Sequence, residues 1–168
     1  EFKGVLAGKG RQHYLAVSPY SHDVTFYLLG KTVYGLMLPQ EQTAVEDSYD
    51  PSALSAIAYT TTNELSFKNL GSLVKFKIIS DGVTSVTFVA GNSENIGGNF
   101  FAAYDAPMRI TVKEGVDRVT LKGDFKNGST YYLVTLPATL KNGFKVLLNG
   151  NIESMKVTFP VDLARSGR

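Results

Sequence analysis

Phe144-Lys145-Val146-Leu147-Leu148-Asn149-Gly150-Asn151-Ile152-Glu153-Ser154-Met155-Lys156-Val157-Thr158-Phe159 is the stretch that decides the fold class. Phe144, Val146 and Leu148 share one side of a period-two pattern. After the interruption, Met155, Val157, Phe159 and Val161 alternate with Lys156, Thr158, Pro160 and Asp162. Alternation at this period means a strand with one face in a core and one in water. Asn149-Gly150 stands between the runs, and this dipeptide supplies the positive φ angles of a tight hairpin turn. A β-hairpin is predicted.

The same rhythm extends outward from it. Val74, Phe76 and Ile78 fall on one face of Ser72–Ser80, with Lys75 and Lys77 on the other. Met108, Ile110 and Val112 alternate with Arg109, Thr111 and Lys113, and Val119 and Leu121 alternate with Arg118, Thr120 and Lys122. Such half-buried strands suit antiparallel sheets. Val24–Leu29 and Tyr131–Leu136 are apolar on both faces, which predicts interior strands covered on each side or reserved for a partner. Asp81-Gly82, Asn127-Gly128 and Asn142-Gly143 offer further positive-φ turns. One segment reads as helical. Asp50-Pro51 supplies an N-cap and an N1 proline before Ser52–Ala58, with Leu54, Ile57 and Ala58 at helical spacing. About ten strands and one short helix predict an all-β, antiparallel β-sandwich in a single domain over residues 1–168.

Composition narrows the chemistry. The 168 residues include no cysteine, which excludes thiolate metal sites, cysteine nucleophiles, disulfides and lipidation of any residue present. Seventeen basic residues interspersed among fifteen acidic ones give a net charge of +2 and a mixed surface, not a nucleic-acid footprint. No apolar run reaches the ~18–20 residues of a membrane-spanning helix. The chain opens on Glu1 without a start methionine, which reads as a processed protein or a piece of a longer one.

The titratable and glycine-rich stretches of the sequence form no catalytic or ligand-binding motif. His13 lies in an apparent strand, and His22 sits in the turn Ser18-Pro19-Tyr20-Ser21-His22-Asp23, where no nucleophile motif accompanies the His-Asp neighbours. Glu41, Glu46, Asp47 and Asp50 form the one acidic stretch, without the alternate spacing of a Ca²⁺ loop. Gly91–Asn99 lacks the Gly-Lys-Ser/Thr of a phosphate loop and reads as a surface loop. Tyr131 and Tyr132 point to opposite faces of a strand, so with Tyr104 they read as packing residues, not a sugar platform. Asn127-Gly128-Ser129 fits a glycosylation sequon but reads as a turn. Neither a catalytic residue, a metal ligand nor a cofactor site is predicted.

Three segments stand in a distinctive order. One is Leu65-Ser66-Phe67-Lys68-Asn69-Leu70-Gly71-Ser72-Leu73-Val74-Lys75-Phe76. A second is Gly128-Ser129-Thr130-Tyr131-Tyr132-Leu133-Val134-Thr135-Leu136-Pro137, followed by Gly143-Phe144. Ser18-Pro19-Tyr20-Ser21, Leu38-Pro39-Gln40-Glu41-Gln42 and Asp50-Pro51-Ser52-Ala53 form the upstream series, and Val83–Gly91 with Ile96-Gly97-Gly98 lies between. Read together, and most clearly in the first, they resemble the fimbrillin family of Bacteroidetes, the subunits and tip adhesins of type V pili and their lipoprotein relatives. The resemblance implies a transthyretin-like β-sandwich, the N-terminal domain of a two-domain, non-enzymatic fimbrial subunit or adhesin at the outer-membrane surface. It implies polymerisation with other pilus subunits by donor-strand addition, in a groove that the sequence does not locate. Val24–Leu29 and Tyr131–Leu136 are the strands expected beside it, or else ordinary central strands. Relatives carry a lipidated Cys and a protease-sensitive Arg upstream of the Phe-x-Gly seen here at Phe2-Lys3-Gly4. Arg11 does not match that Arg, so any membrane attachment is expected through a lipid outside this chain. Leu163-Ala164-Arg165-Ser166-Gly167-Arg168 resembles the start of a further family strand. The alternative reading is a glycan- or host-receptor-binding module, which predicts exposed aromatics with polar neighbours on one face.

Overall fold

The computed structural model describes residues 13–62 and 64–166. Among them are sixteen strands and no helix. β1 (Tyr14–Ser18), β2 (Thr25–Tyr27), β3 (Thr32–Leu38) and β4 (Glu41–Thr43) come first, then β5 (Ala56–Thr60), β6 (Lys68–Asn69) and β7 (Ser72–Lys77). β8 (Ser85–Ala90), β9 (Gly97–Ala103), β10 (Arg109–Val116) and β11 (Arg118–Lys122) form the middle of the chain. β12 (Thr130–Thr135), β13 (Ala138–Leu140), β14 (Phe144–Leu148), β15 (Ile152–Val157) and β16 (Val161–Leu163) complete it.

The largest sheet has the order β15-β14-β8-β11-β4, and a second has the order β10-β9-β3-β2. β1-β5-β6 is a third, while β12-β7 and β13-β16 are two-stranded. Every pairing is antiparallel except β11 with β4. Leu36 and Phe100 of the second sheet, Phe88 and Leu121 of the first, and Leu133 of β12 belong to one continuous buried cluster. The fold is all-β, and its several sheets around one core are consistent with a β-sandwich.

The deciding hairpin forms as its turn chemistry dictates. Asn149 and Gly150 take φ values of 48° and 90°, and β14 pairs with β15 directly across them. Asn149 also reaches sideways. Its Oδ1 accepts from the Thr84 backbone N–H at 2.8 Å, and its Nδ2 donates to the Gly82 carbonyl at 3.0 Å, tying the hairpin to the loop after β7. Gly82, Gly128 and Gly143 also have positive φ, but their turns carry the chain between sheets instead of closing hairpins.

The predicted helix after Asp50 is absent. The Asp50 carboxylate accepts from the Thr43 N–H (2.8 Å), the Ser52 N–H (2.9 Å) and the Ser52 hydroxyl (2.6 Å), and Ala53 N–H donates to the Asp50 carbonyl. The capping signature therefore closes a turn. Ala56–Thr60 then extends, because Val17 pairs with Ile57 and Leu15 with Tyr59 in a continuous ladder. Two turns of isolated helix are marginal, and a strand zipped between β1 and β6 wins.

Two strand expectations also change. Val24–Leu29 is not an interior strand. β2 within it is a short edge strand, and Phe26 (44% exposed) and Leu29 (89%) face solvent because no layer covers them. The face predicted for Met155, Val157, Phe159 and Val161 is broken as well. A bulge between Val146 and Leu147 shifts the β14–β15 register, β15 ends at Val157, and Val161 pairs in β16 with Leu140. Met155 and Phe159 are left exposed. Tyr131–Leu136 is interior, as predicted.

Candidate strand-accepting groove

β12 and β7 pair in register from Thr130 opposite Lys77 to Thr135 opposite Ser72. Backbone groups of successive residues in a strand point to opposite edges. On β12, those of Thr130, Tyr132, Val134 and Leu136 point away from β7. Thr130 accepts from Asp47, Tyr132 donates to Ser48, and Leu136 donates to Ile96. Val134 is met by a side chain. Gln42 Nε2 donates to its carbonyl at 2.8 Å, and its N–H donates to Gln42 Oε1 at 2.9 Å. The buried amide of Gln42 thus stands in for a neighbouring strand, as buried backbone groups require.

β7 differs. The same alternation turns the backbone groups of Leu73, Lys75 and Lys77 to its far edge, where no described strand pairs with them. Only the beginning of that edge is covered. Gly71 carbonyl accepts from Ser166 N–H at 2.8 Å, and Ser72 Oγ donates to Leu163 carbonyl at 3.1 Å. Beside the rest of the edge lies a cleft of about 270 Å³ with an apolar floor. Val74 and Phe76 line one wall, Phe88 and Leu133 the base, and Val146, Leu148 and Met155 the other wall. Val74, Phe76, Val146 and Leu148 sit on the inward faces of their strands yet are only half-buried. Their partial exposure shows that no described element covers this end of the core.

Charge marks the rim. Lys75 and Lys77 occupy the outward face of β7, and the Lys75 ammonium lies 5.7 Å from the Tyr132 ring centroid. Lysines on an open edge oppose indiscriminate pairing. The titratable groups with displaced pKa values lie elsewhere and are structural. Hydrogen bonds from Lys126 and then Ser129 hold the Glu46 carboxyl below its usual range, and Glu46 in turn raises Lys126. Burial pushes Asp50 up, but its bonds from Ser52 and Thr43 outweigh burial and leave it lowered. Burial acts likewise on Glu94, and N–H donors from Lys141 and Asn92 lower it.

The residues singled out from sequence do not converge. His13 stands one residue before β1, not within a strand, and its Nδ1 lies 2.5 Å from the Tyr59 hydroxyl. His22 meets Tyr20 edge-on at 5.5 Å. The surface loop expected over Gly91–Asn99 is shorter, because Gly97, Gly98 and Asn99 already belong to β9 and the last two pair with β3. Ahead of them the Glu94 carboxylate takes the Asn92 N–H, so the loop fills its own anion position. Tyr131 is core, packed against Phe125 at 4.7 Å, and Tyr104 packs beside Tyr59. Glu41 pairs with Lys122. Asn127-Gly128 forms a turn, and Ser129 Oγ donates to Glu46. No cluster of three acidic or histidine side chains capable of holding a metal occurs among the described residues. Phe2-Lys3-Gly4, Arg11, Gly167 and Arg168 lie outside the described residues.

Sequence reasoning singled out Val24–Leu29 and Tyr131–Leu136 for this groove. Only Leu133, from the second, lines it. It missed Gln42, whose partner is 92 residues away. It also missed that no described strand pairs with the outer edge of β7, because the alternation of Val74, Phe76 and Ile78 with Lys75 and Lys77 fixes which face is buried and not which edge is paired. No model of a known protein family, no curated protein and no solved structure matches the chain.

Proposed function

We propose that this chain is the sandwich body of a fimbrillin-type, cell-surface fimbrial subunit that receives a donor strand along β7. The transthyretin-like form of the sandwich, the outer-membrane location and a non-enzymatic, structural role belong to the same reading. One observation carries it. A strand edge with which no described strand pairs runs beside an apolar cleft whose walls are inward-facing residues left half-wet.

The physics of strand addition fits that arrangement. Backbone groups of an incoming strand bond to Leu73, Lys75 and Lys77, while its alternate side chains enter the cleft between Val74, Phe76, Val146 and Leu148. Each apolar side chain fully buried there contributes about 1.5–3 kcal/mol. The opposite face of the donor lies beside Lys75 and Lys77, so acidic residues at those positions add cross-strand attraction. The donor is therefore a strand of alternating apolar and acidic or polar residues, supplied by another subunit.

The test is a synthetic strand of that pattern, against one with the same composition slipped by a single residue. The matched peptide slows amide exchange at Leu73, Lys75 and Lys77 and raises the unfolding temperature, while the slipped one does neither. Equal behaviour of the two peptides, or exchange unchanged at those amides, sinks the reading. In the full-length protein, Arg-specific proteolysis should yield SDS-resistant ladders.

A further inference from the structure

On the outer face of the second sheet, a cleft of about 720 Å³ opens between the Pro19–Asp23 loop and strands β3, β9 and β10. Two register shifts build it. One, between Val33 and Leu36, lets Tyr34 and Gly35 bulge from β3, and another, between Val112 and Glu114, bulges β10. Bulges re-aim side chains and recur beside binding sites. Here they surround β9 from both sides, gathering Tyr34, Phe101, Asn99, Lys113 and Glu114 at one cleft.

The bulge in β3 is locked in place. Gly35 has a φ of +73°, and a Cβ there would stand 2.0 Å from the Asp23 carbonyl oxygen. Only glycine lets the loop carrying Tyr20 and Asp23 lie directly on the strand. The result is a wall of rings. Tyr34 and Phe101 have centroids 5.1 Å apart, and Tyr20 is 69% exposed across the cleft. The Tyr20 and Tyr34 hydroxyls hydrogen-bond to no described residue. Polar groups sit beside the rings. Asn99 Nδ2 donates to Glu114 Oε2 at 3.1 Å, which fixes both groups and leaves Asn99 Oδ1 and Glu114 Oε1 as acceptors. Lys113 lies with its ammonium 5.3 Å from the Phe101 centroid.

We infer that this cleft binds a neutral carbohydrate. A pyranose ring has an apolar C–H face, which an exposed aromatic ring covers, and a rim of hydroxyls, which fixed carboxylate and amide oxygens accept. The cleft supplies both, and its size lies within the ~300–1,000 Å³ of small-ligand sites. Two carboxylates, Asp23 and Glu114, against the single ammonium of Lys113 disfavour acidic sugars and other polyanions. The inference goes beyond strand addition and stands without it, since no residue of this cleft lines the β7 groove.

The experiment is affinity electrophoresis and titration calorimetry of the full chain against soluble β-glucan, xylan, α-mannan and N-acetylglucosamine oligomers, with heparin as the polyanion. At least one neutral glycan should retard the protein. Tyr34→Ala, at an exposed position that leaves the core untouched, should weaken that binding about tenfold. Asn99→Ala should weaken it while Phe76→Ala, in the other groove, leaves it unchanged. Failure of every neutral glycan, binding to heparin alone, or a Tyr34→Ala protein that binds like the parent overturns the inference.

Discussion

β12 and β7 lie side by side, each with one strand partner, and their outer edges are treated in opposite ways. Along β12 the outward residues Thr130, Tyr132, Val134 and Leu136 each have a backbone group met, and Val134 has both met by the side chain of Gln42. Along β7, from Leu73 to Lys77, no described strand is present and an apolar cleft adjoins. The fold thus possesses a device for closing an edge without a strand and uses it on only one of two neighbours. Closure on β12 maintains the core, while openness on β7 leaves half-wet apolar residues at a cost in stability. Such a cost is expected at a surface that another chain completes.

The largest effect should come from breaking the closed edge. Gln42→Ala leaves the Val134 N–H and carbonyl buried without partners, a loss of about 3 kcal/mol, read from denaturant unfolding. A cost below about 1 kcal/mol would mean that water replaces the amide and that the two edges differ less than described.

The open side should respond more weakly. Phe76→Ala should cost about 1–2 kcal/mol, under the ~3–5 kcal/mol of a fully enclosed phenylalanine, because half of its neighbourhood is already solvent. With a matched donor peptide bound the same substitution should cost more, since the cleft is then closed. An equal cost in both states would separate Phe76 from the groove.

Asp50 offers a pH-dependent measure of the turn leading into β5. Asp50→Asn should cost about 1 kcal/mol at neutral pH. The folded-state pKa is lowered, so the carboxylate's contribution is complete above its ordinary value near 4 and is lost as pH falls through the lower folded value. The gap between parent and variant should therefore close below about pH 4, as followed by unfolding curves across the acid range. A gap that persists to lower pH would assign the effect to packing.

The smallest effect sharpens the chemistry of the open edge. Lys75→Glu combined with Lys77→Glu should leave stability within about 0.5 kcal/mol, as at other exposed sites. It should weaken an acidic-faced donor peptide about fivefold and favour a basic-faced one, by calorimetric titration. Unchanged preference would mean that the outer face of the donor does not meet these lysines.

Local chemistry made much of the fold legible. The alternation of Val74, Phe76 and Ile78 with Lys75 and Lys77 gave a strand and Asn149-Gly150 gave a hairpin, whereas Asp50-Pro51 pointed to a helix where the structure has a turn. Ala56–Thr60 became a strand because β1, some forty residues earlier, offers it a ladder, and no local pattern encodes that offer. The exposed apolar residues of β2 and β15 misled for the same reason. Hydrophobicity says that a residue gains from cover, while burial depends on whether another layer reaches it.

What the sequence by itself determined was the class of structure and several chemistries it lacks: period-two strands, positive-φ turns, and a chain without thiols. These follow from the preferences of each residue and its near neighbours. The tertiary structure alone decided which edges are closed and where side chains converge. Gln42 meets Val134 across 92 residues, and Tyr34 stands beside Phe101 through pairing of β3 with β9. A groove or cleft is made by distant segments brought side by side, and whether its wall is complete depends on an element that local preference does not specify.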